Sequence, residues 1–285
     1  MRKTIFFVII IFSTFLLSNK TKAQFKNDTQ AAIYDMGLGA IVGGIGAVIN
    51  KKDNEKTSKI FIKGLWQGAL GGYLVFESKR LIRAGVNQNT YSYFWPSKIV
   101  NSVGNSILEN ASANRNFWEQ YHINVGFNRF EFDMRNKGKF SYQIMPFALY
   151  ATVNGFLNGS LDVNKSLSVG TFIFRAKLPV FVKSLSDARA NAYALTNQII
   201  YDDKLFSFRT LSHEVIHTYQ YEQLTSFNSY FMRPYSHFEK KSKFIKFYNK
   251  YFYTDFNLII FGLDYQFNQN YEDIFFEKEA RYYSE

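Results

Sequence analysis

The sequence predicts an α+β fold, with a helical hairpin at the N-terminus, an antiparallel sheet in the middle and helices at the C-terminus. Three observations carry this. Glycines recur at four-residue spacing through two apolar segments before residue 90. Between residues 124 and 200, strand-like alternation is interrupted by turn-forming clusters. From about Phe206 onward, apolar and aromatic residues return at helical spacing.

The chain opens "MRKTIFFVIIIFSTFLLSNKTKAQ". Arg2 and Lys3 precede a nearly uncharged apolar run over residues 5–17, and Thr21 and Ala23 put small residues ahead of Gln24. This is the layout of a secretory signal peptide, and the run is short for a bilayer span. Residues 1–23 are therefore set apart, and an exported protein is expected, periplasmic, envelope-associated or secreted. The chain has no cysteine, so disulfides cannot support it. Its stability must come from a core, which the 262 residues after position 23 are enough to build.

The formal charge is +11; removing the four basic residues of the first 23 from 34, against 23 acidic ones, leaves +7. A net charge that mild, together with export, argues against a nucleic-acid partner. The densest basic run is "EKKSKFIKFYNK", whose lysines alternate with Phe244, Phe247 and Tyr248. It suits a helix with one wet face and one aromatic face, and reads as a solvated face rather than an anionic-lipid or nucleic-acid site.

Residues 24–115 form the first unit. "AAIYDMGLGAIVGGIGAVINKK" carries Gly39, Gly43 and Gly44, and "IKGLWQGALGGYLVFESKR" carries Gly64, Gly68, Gly71 and Gly72. Bare backbone on one helix face allows close packing, so the two segments pair as a hairpin turning through "NKKDNEKTSK". Lys63 and Gln67 interrupt the second segment. We therefore expect a soluble or peripheral hairpin that can serve for attachment at a membrane surface. In "WPSKIVNSVGNSILENAS", Ile99, Val103 and Ile107 recur every four residues beside Val100 and Leu108. This predicts an amphipathic core helix, capped by Ser97 after the Trp95-Pro96 break.

Residues 116–285 form the second unit. "VGFNRFEFDM", "KFSYQIMPFALYATV", "SLSVGTFIFRAKL" and "AYALTNQIIYDD" read as strands, separated by "NKGK", "NGFLNGS" and "DVNKS". Four or five antiparallel strands are expected, too few for a closed outer-membrane barrel.

The next helix holds the chemistry. In "LSHEVIHTYQ", Leu211, Val215 and Tyr219 would line a buried face, with Asp202, Asp203 or Ser207 as caps. His213 and His217 then stand one turn apart on another face, where both imidazoles can reach one ion, and Glu214 is offset beside them. That is the content of H-E-x-x-H: two zinc ligands and a general base. A third ligand must come from elsewhere. The glycine and histidine of the metzincin continuation are replaced by Gln220 and Gln223, and His122 and His237 have no supporting spacing.

Over its last 80 or so residues the chain resembles the gluzincin branch of zinc metallopeptidases, in which a distal E-x-x-A helix supplies the third ligand. "EKEA", Glu277 to Ala280, lies 60 residues after His217. The resemblance implies a zincin-like metallohydrolase acting on protein or peptide, with Zn2+ held by His213, His217 and Glu277 and with Glu214 as general base. The family often has an aspartate four residues after that glutamate. Here the position is Arg281, which leaves Glu279 as an alternate ligand and Asp264 as a remote one. Tyr230, Tyr235, His237 and Arg281 are each able to stabilise an oxyanion, and Gln220 is a candidate partner for a ligand histidine. The competing reading is a non-catalytic envelope scaffold that keeps the fold without the reaction.

Overall fold

The computed structural model describes residues 25–135, 138–178, 181–182, 188–189, 191–254, 256–267 and 274–285; the segment expected to be a signal peptide, residues 1–23, lies outside them. The protein is α+β, with ten α-helices and nine strands among the described residues. Asn27 caps α1 (Asp28–Ile49) by accepting from the Gln30 amide, and a turn over residues 50–56 leads into α2 (Thr57–Gln88). The hairpin is held by glycine. A Cβ on Gly39 or Gly43 would fall on the carbonyl of Gly68 or Gly64, and the reverse substitutions would do the same. Gly71 in turn meets the Gly104 carbonyl of α3 (Phe94–Ser112), so three helices pack as one layer. By length and composition α1 is the one described helix apolar enough to cross a membrane.

Helix α3 starts before the expected break, because Pro96 falls in the first turn, where a missing N–H costs little. Ser97 is not the cap. It is buried, and its hydroxyl donates to the Ser78 carbonyl at 2.7 Å.

Strands β1 (Gln120–Val125), β2 (Asn128–Asp133) and β3 (Lys139–Ile144) form an antiparallel meander. Its sidedness is unusual. Arg129, Glu131, His122 and Asn124 are buried, whereas Phe132, Phe140 and Tyr142 are exposed. The inward charge is tolerable because it is paired. Arg129 donates to both Glu109 oxygens, at 3.2 and 2.8 Å, and to Glu131 at 2.6 Å.

Two segments expected to be strands are helices. In α4 (Pro146–Asn158), proline at the first position sets a helical φ, and Ala148, Ala151, Thr152 and Gly155 make the buried face at helical spacing. In α5 (Val163–Val169), Asp162 caps the start by accepting from the Lys165 amide, and Gly170 closes the end at φ +79°. The "DVNKS" turn signal was thus a helix cap, a role that aspartate fills equally well.

The single antiparallel sheet expected is two main sheets. The second contains β4 (Gly159–Leu161), β5 (Phe172–Ala176), β9 (Gln198–Tyr201) and β8 (Ala192–Leu195), in that spatial order. It is mixed, because β5 and β9 run parallel. The stretch "AYALTNQIIYDD" is a hairpin rather than one strand, turning at Thr196, whose φ is +53°. Strand β8 is left at the edge. A two-residue pair, β6 (Phe181–Val182) and β7 (Ala188–Arg189), completes the strands.

Helix α6 (Phe208–Leu224) follows, capped by Ser207, which accepts from the Thr210 amide. Asp202 instead accepts from the Lys204 amide, and Asp203 lies 3.5 Å from Arg175. Leu211, Val215 and Tyr219 are buried, as their spacing predicts. They join Phe76, Ile82, Phe94, Ile173, Ile199 and Tyr283 in one core that draws on hairpin, sheet and C-terminal helix alike. A 3-10 turn (Thr225–Phe231), α7 (Met232–Lys241), α8 (Lys243–Tyr251), α9 (Asn257–Phe267) and α10 (Phe275–Ser284) end the chain.

Candidate metal centre

Helix α6 is buried along most of its length, so each polar side chain on it needs a partner. At its C-terminal end, Glu222 accepts from Lys98 at 2.6 Å and from Asn101 at 2.5 Å. In its N-terminal half, His213 and His217 find Glu277 from the first turn of α10. His213 Nε2 is 3.1 Å from both His217 Nε2 and Glu277 Oε2, and His217 Nε2 is 3.4 Å from Glu277 Oε1. Ligand atoms about 2.0–2.1 Å from a tetrahedral zinc stand roughly 3.3–3.4 Å from one another. The three side chains therefore converge at the spacing of one ion's coordination shell. They are the one such cluster among the described residues.

A neighbouring glutamine fixes the tautomer of His217. Gln220 Nε2 donates to the Phe276 carbonyl at 2.9 Å and to Glu279 Oε2 at 2.8 Å. Its amide oxygen is thus left to accept, and it lies 2.7 Å from His217 Nδ1. Neutral His217 must then carry its proton on Nδ1 and turn the Nε2 lone pair toward His213 and Glu277, the form in which imidazole ligates a metal. His213 Nδ1 lies 3.4 Å from the Ser284 hydroxyl. Without an ion, burial would lower His217, but the Glu277 carboxylate outweighs it and lifts the imidazole to about 9. Burial likewise opposes ionisation of Glu277, yet the two histidines hold it far below the usual carboxylate range.

Glu214 is buried beside this cluster. Burial raises its carboxyl above the ordinary value, against the pull of His217, His213 and the Ala194 amide of the edge strand. Tyr221, Phe261 and Phe276 stack alongside, and the Phe261 ring meets His217 edge-on at 5.8 Å.

Glu279, the alternate ligand, is directed elsewhere. It accepts from Lys79 Nζ at 2.6 Å, and Lys79 also donates to Asp35 at 3.0 Å, deep between α1 and α2. The hairpin is thereby joined, through Glu279 and Gln220, to His217. Asp35, the sole charge between Asp28 and Lys51, was the sequence signal for this link; Lys79, in "FESKR", gave none. Tyr230 is withdrawn from the cluster, donating to the Val42 carbonyl at 2.9 Å. Tyr235 is exposed on α7. His237 lies on α7 and Asp264 on α9, but their side chains are outside the described residues. His122 is a core histidine, with Nδ1 3.1 Å from the Ser106 hydroxyl.

Compared with protein-family models, curated proteins and solved structures, the chain matches none. The donor set alone must therefore show whether a metal fits, and it does: two imidazoles, one of them with its lone pair set by its neighbour, and one carboxylate.

Proposed function

We propose that the protein is an exported, zinc-dependent hydrolase that cleaves peptide bonds. The convergence of His213, His217 and Glu277 beside a buried glutamate carries this reading. The two histidines and Glu277 would hold the ion, with Gln220 and Ser284 orienting the imidazoles. Bound zinc supplies Lewis acidity and makes water a nucleophile near neutral pH. Glu214 has the part of general base. Its burial favours the protonated form once a proton is taken up, and the same carboxyl can return that proton to a leaving amine. Edge strand β8, which packs against α6, offers backbone to an extended peptide.

The test is Glu214→Gln, assayed on a mixture of unfolded protein substrates with zinc content measured in parallel. Turnover should fall by roughly a hundredfold or more, the usual worth of a general base, while zinc is kept. The scaffold reading draws support from the burial of Glu214, His217 and Glu277. It would be favoured if zinc were bound and the Glu214→Gln variant matched the parent in every hydrolytic assay.

A further inference from the structure

Helix α8 presents an outward half that a solvated surface helix does not need. Ser242, Ile245, Tyr248 and Asn249 face the protein, and Gln143 of β3 donates to the Asn249 carbonyl at 2.7 Å. The opposite half carries Lys243, Lys246 and Lys250, as the sequence leads one to expect. It also carries Phe244, Phe247 and Tyr251, which are 73%, 58% and 42% exposed. No acidic side chain pairs with these lysines among the described residues. The span from Met232 to Lys250 holds six basic residues against Glu239 alone, so five of the +7 charges after position 23 fall in 19 residues.

Helix α7 repeats the pattern, with Met232, Tyr235 and Phe238 exposed at three-residue spacing ahead of Lys240 and Lys241. It begins where the preceding turn is fastened to the end of the hairpin, through Asn50 Nδ2 and the Ser229 carbonyl at 2.9 Å. The turn over residues 50–56, with Lys51, Lys52 and Lys56, lies at that same end.

We propose that α8, with α7 beside it, is an interfacial anchor that docks the protein on an anionic lipid bilayer. Phe244 and Phe247 enter the headgroup boundary, and the flanking lysines meet lipid phosphates and carboxylates. The mixed charge and hydrocarbon select a bilayer over other polyanions. Lysines alone would serve a nucleic acid, but exposed Phe and Met at helical spacing are satisfied only by leaving water. The proposal is independent of the metal centre.

The test is sedimentation of the purified protein with phosphatidylcholine vesicles, with and without phosphatidylserine. Binding should require phosphatidylserine. Replacing Lys243, Lys246 and Lys250 by glutamine should weaken it about a hundredfold, at roughly fivefold per lysine. Phe244→Ser with Phe247→Ser should weaken it at least about tenfold. All five substituted side chains are outward-facing, so thermal melting of the variants should match the parent. Because the chain has no cysteine, Phe247→Cys accepts a single environment-sensitive fluorophore, whose emission should shift to the blue on anionic vesicles. Binding that ignores phosphatidylserine, or either variant binding as the parent does, overturns the proposal. So does a preference for a single-stranded oligonucleotide over the vesicles.

Discussion

Gln220 shows how one side chain decides the chemistry of another. Its amide nitrogen is committed to Phe276 and Glu279, so its oxygen dictates where His217 holds its proton. We expect Gln220→Leu to leave the fold intact and weaken zinc affinity by about ten- to a hundredfold, measured by chelator competition. His122 sets a different residue-level behaviour. Burial, with Arg129 beside it, lowers its imidazole from 6.5 to about 3. The unfolded chain therefore takes up this proton first. Its contribution to stability is full above about pH 6.5 and is lost as pH falls toward 3. The slope is at most about 1.4 kcal/mol per pH unit. Glu109, drawn down to about 2 by Arg129 and His122 in spite of burial, adds acid sensitivity of the same sign below 4.5. Asp35, lifted to about 7 by burial, has the opposite sign in the same window, so the test is a comparison: on going from pH 6.5 to 4.5, stability in urea should fall less, or rise more, in His122→Gln than in the parent.

Among the elements, the hairpin gives the sharpest test. A Cβ at Gly68 would land on the Gly39 carbonyl, whereas nothing lies within 4 Å of one at Gly37. Gly68→Ala should lower stability by roughly 2 kcal/mol or more through the forced separation of α1 and α2. Gly37→Ala should raise it by about 0.5–1 kcal/mol through helix propensity. Thermal melts of the two variants should move in opposite directions. This hairpin was legible because glycine spacing encodes a helix contact directly, and helix α6 was legible because Leu211, Val215 and Tyr219 share a face. The strands were harder to read. Phe and Tyr suit a half-buried strand and a helix alike, so the sequence of α4 reads as a strand although its small residues line the buried side of a helix. The polar interior of β1–β3 was hidden for another reason. Alternation shows that two faces differ, but not which one points inward, and here Glu109 on the preceding helix α3 decides.

At the scale of the whole molecule, Lys79 ties the hairpin, through Glu279 and Gln220, to the His213, His217 and Glu277 cluster. It lies between Asp35 and Glu279 with no access to water, and burial lifts the Asp35 carboxyl to about 7 even beside that ammonium. Lys79→Met would strand two buried carboxylates and should cost roughly 3–5 kcal/mol in denaturant unfolding. The sequence singled out His213, His217 and Glu277, which the fold brings together, because an H-E-x-x-H helix and an E-x-x-A helix are local patterns. It could not place Lys79 or Ser284, since contacts across the fold leave no local spacing. The most direct test of the metal centre is zinc stoichiometry, measured after refilling at neutral pH, in the parent and in His217→Ala and Glu277→Ala. We expect one zinc per chain in the parent, none in His217→Ala and weakened binding in Glu277→Ala. A parent that takes up no zinc would contradict the site and leave His213, His217 and Glu277 as a buried hydrogen-bonded cluster.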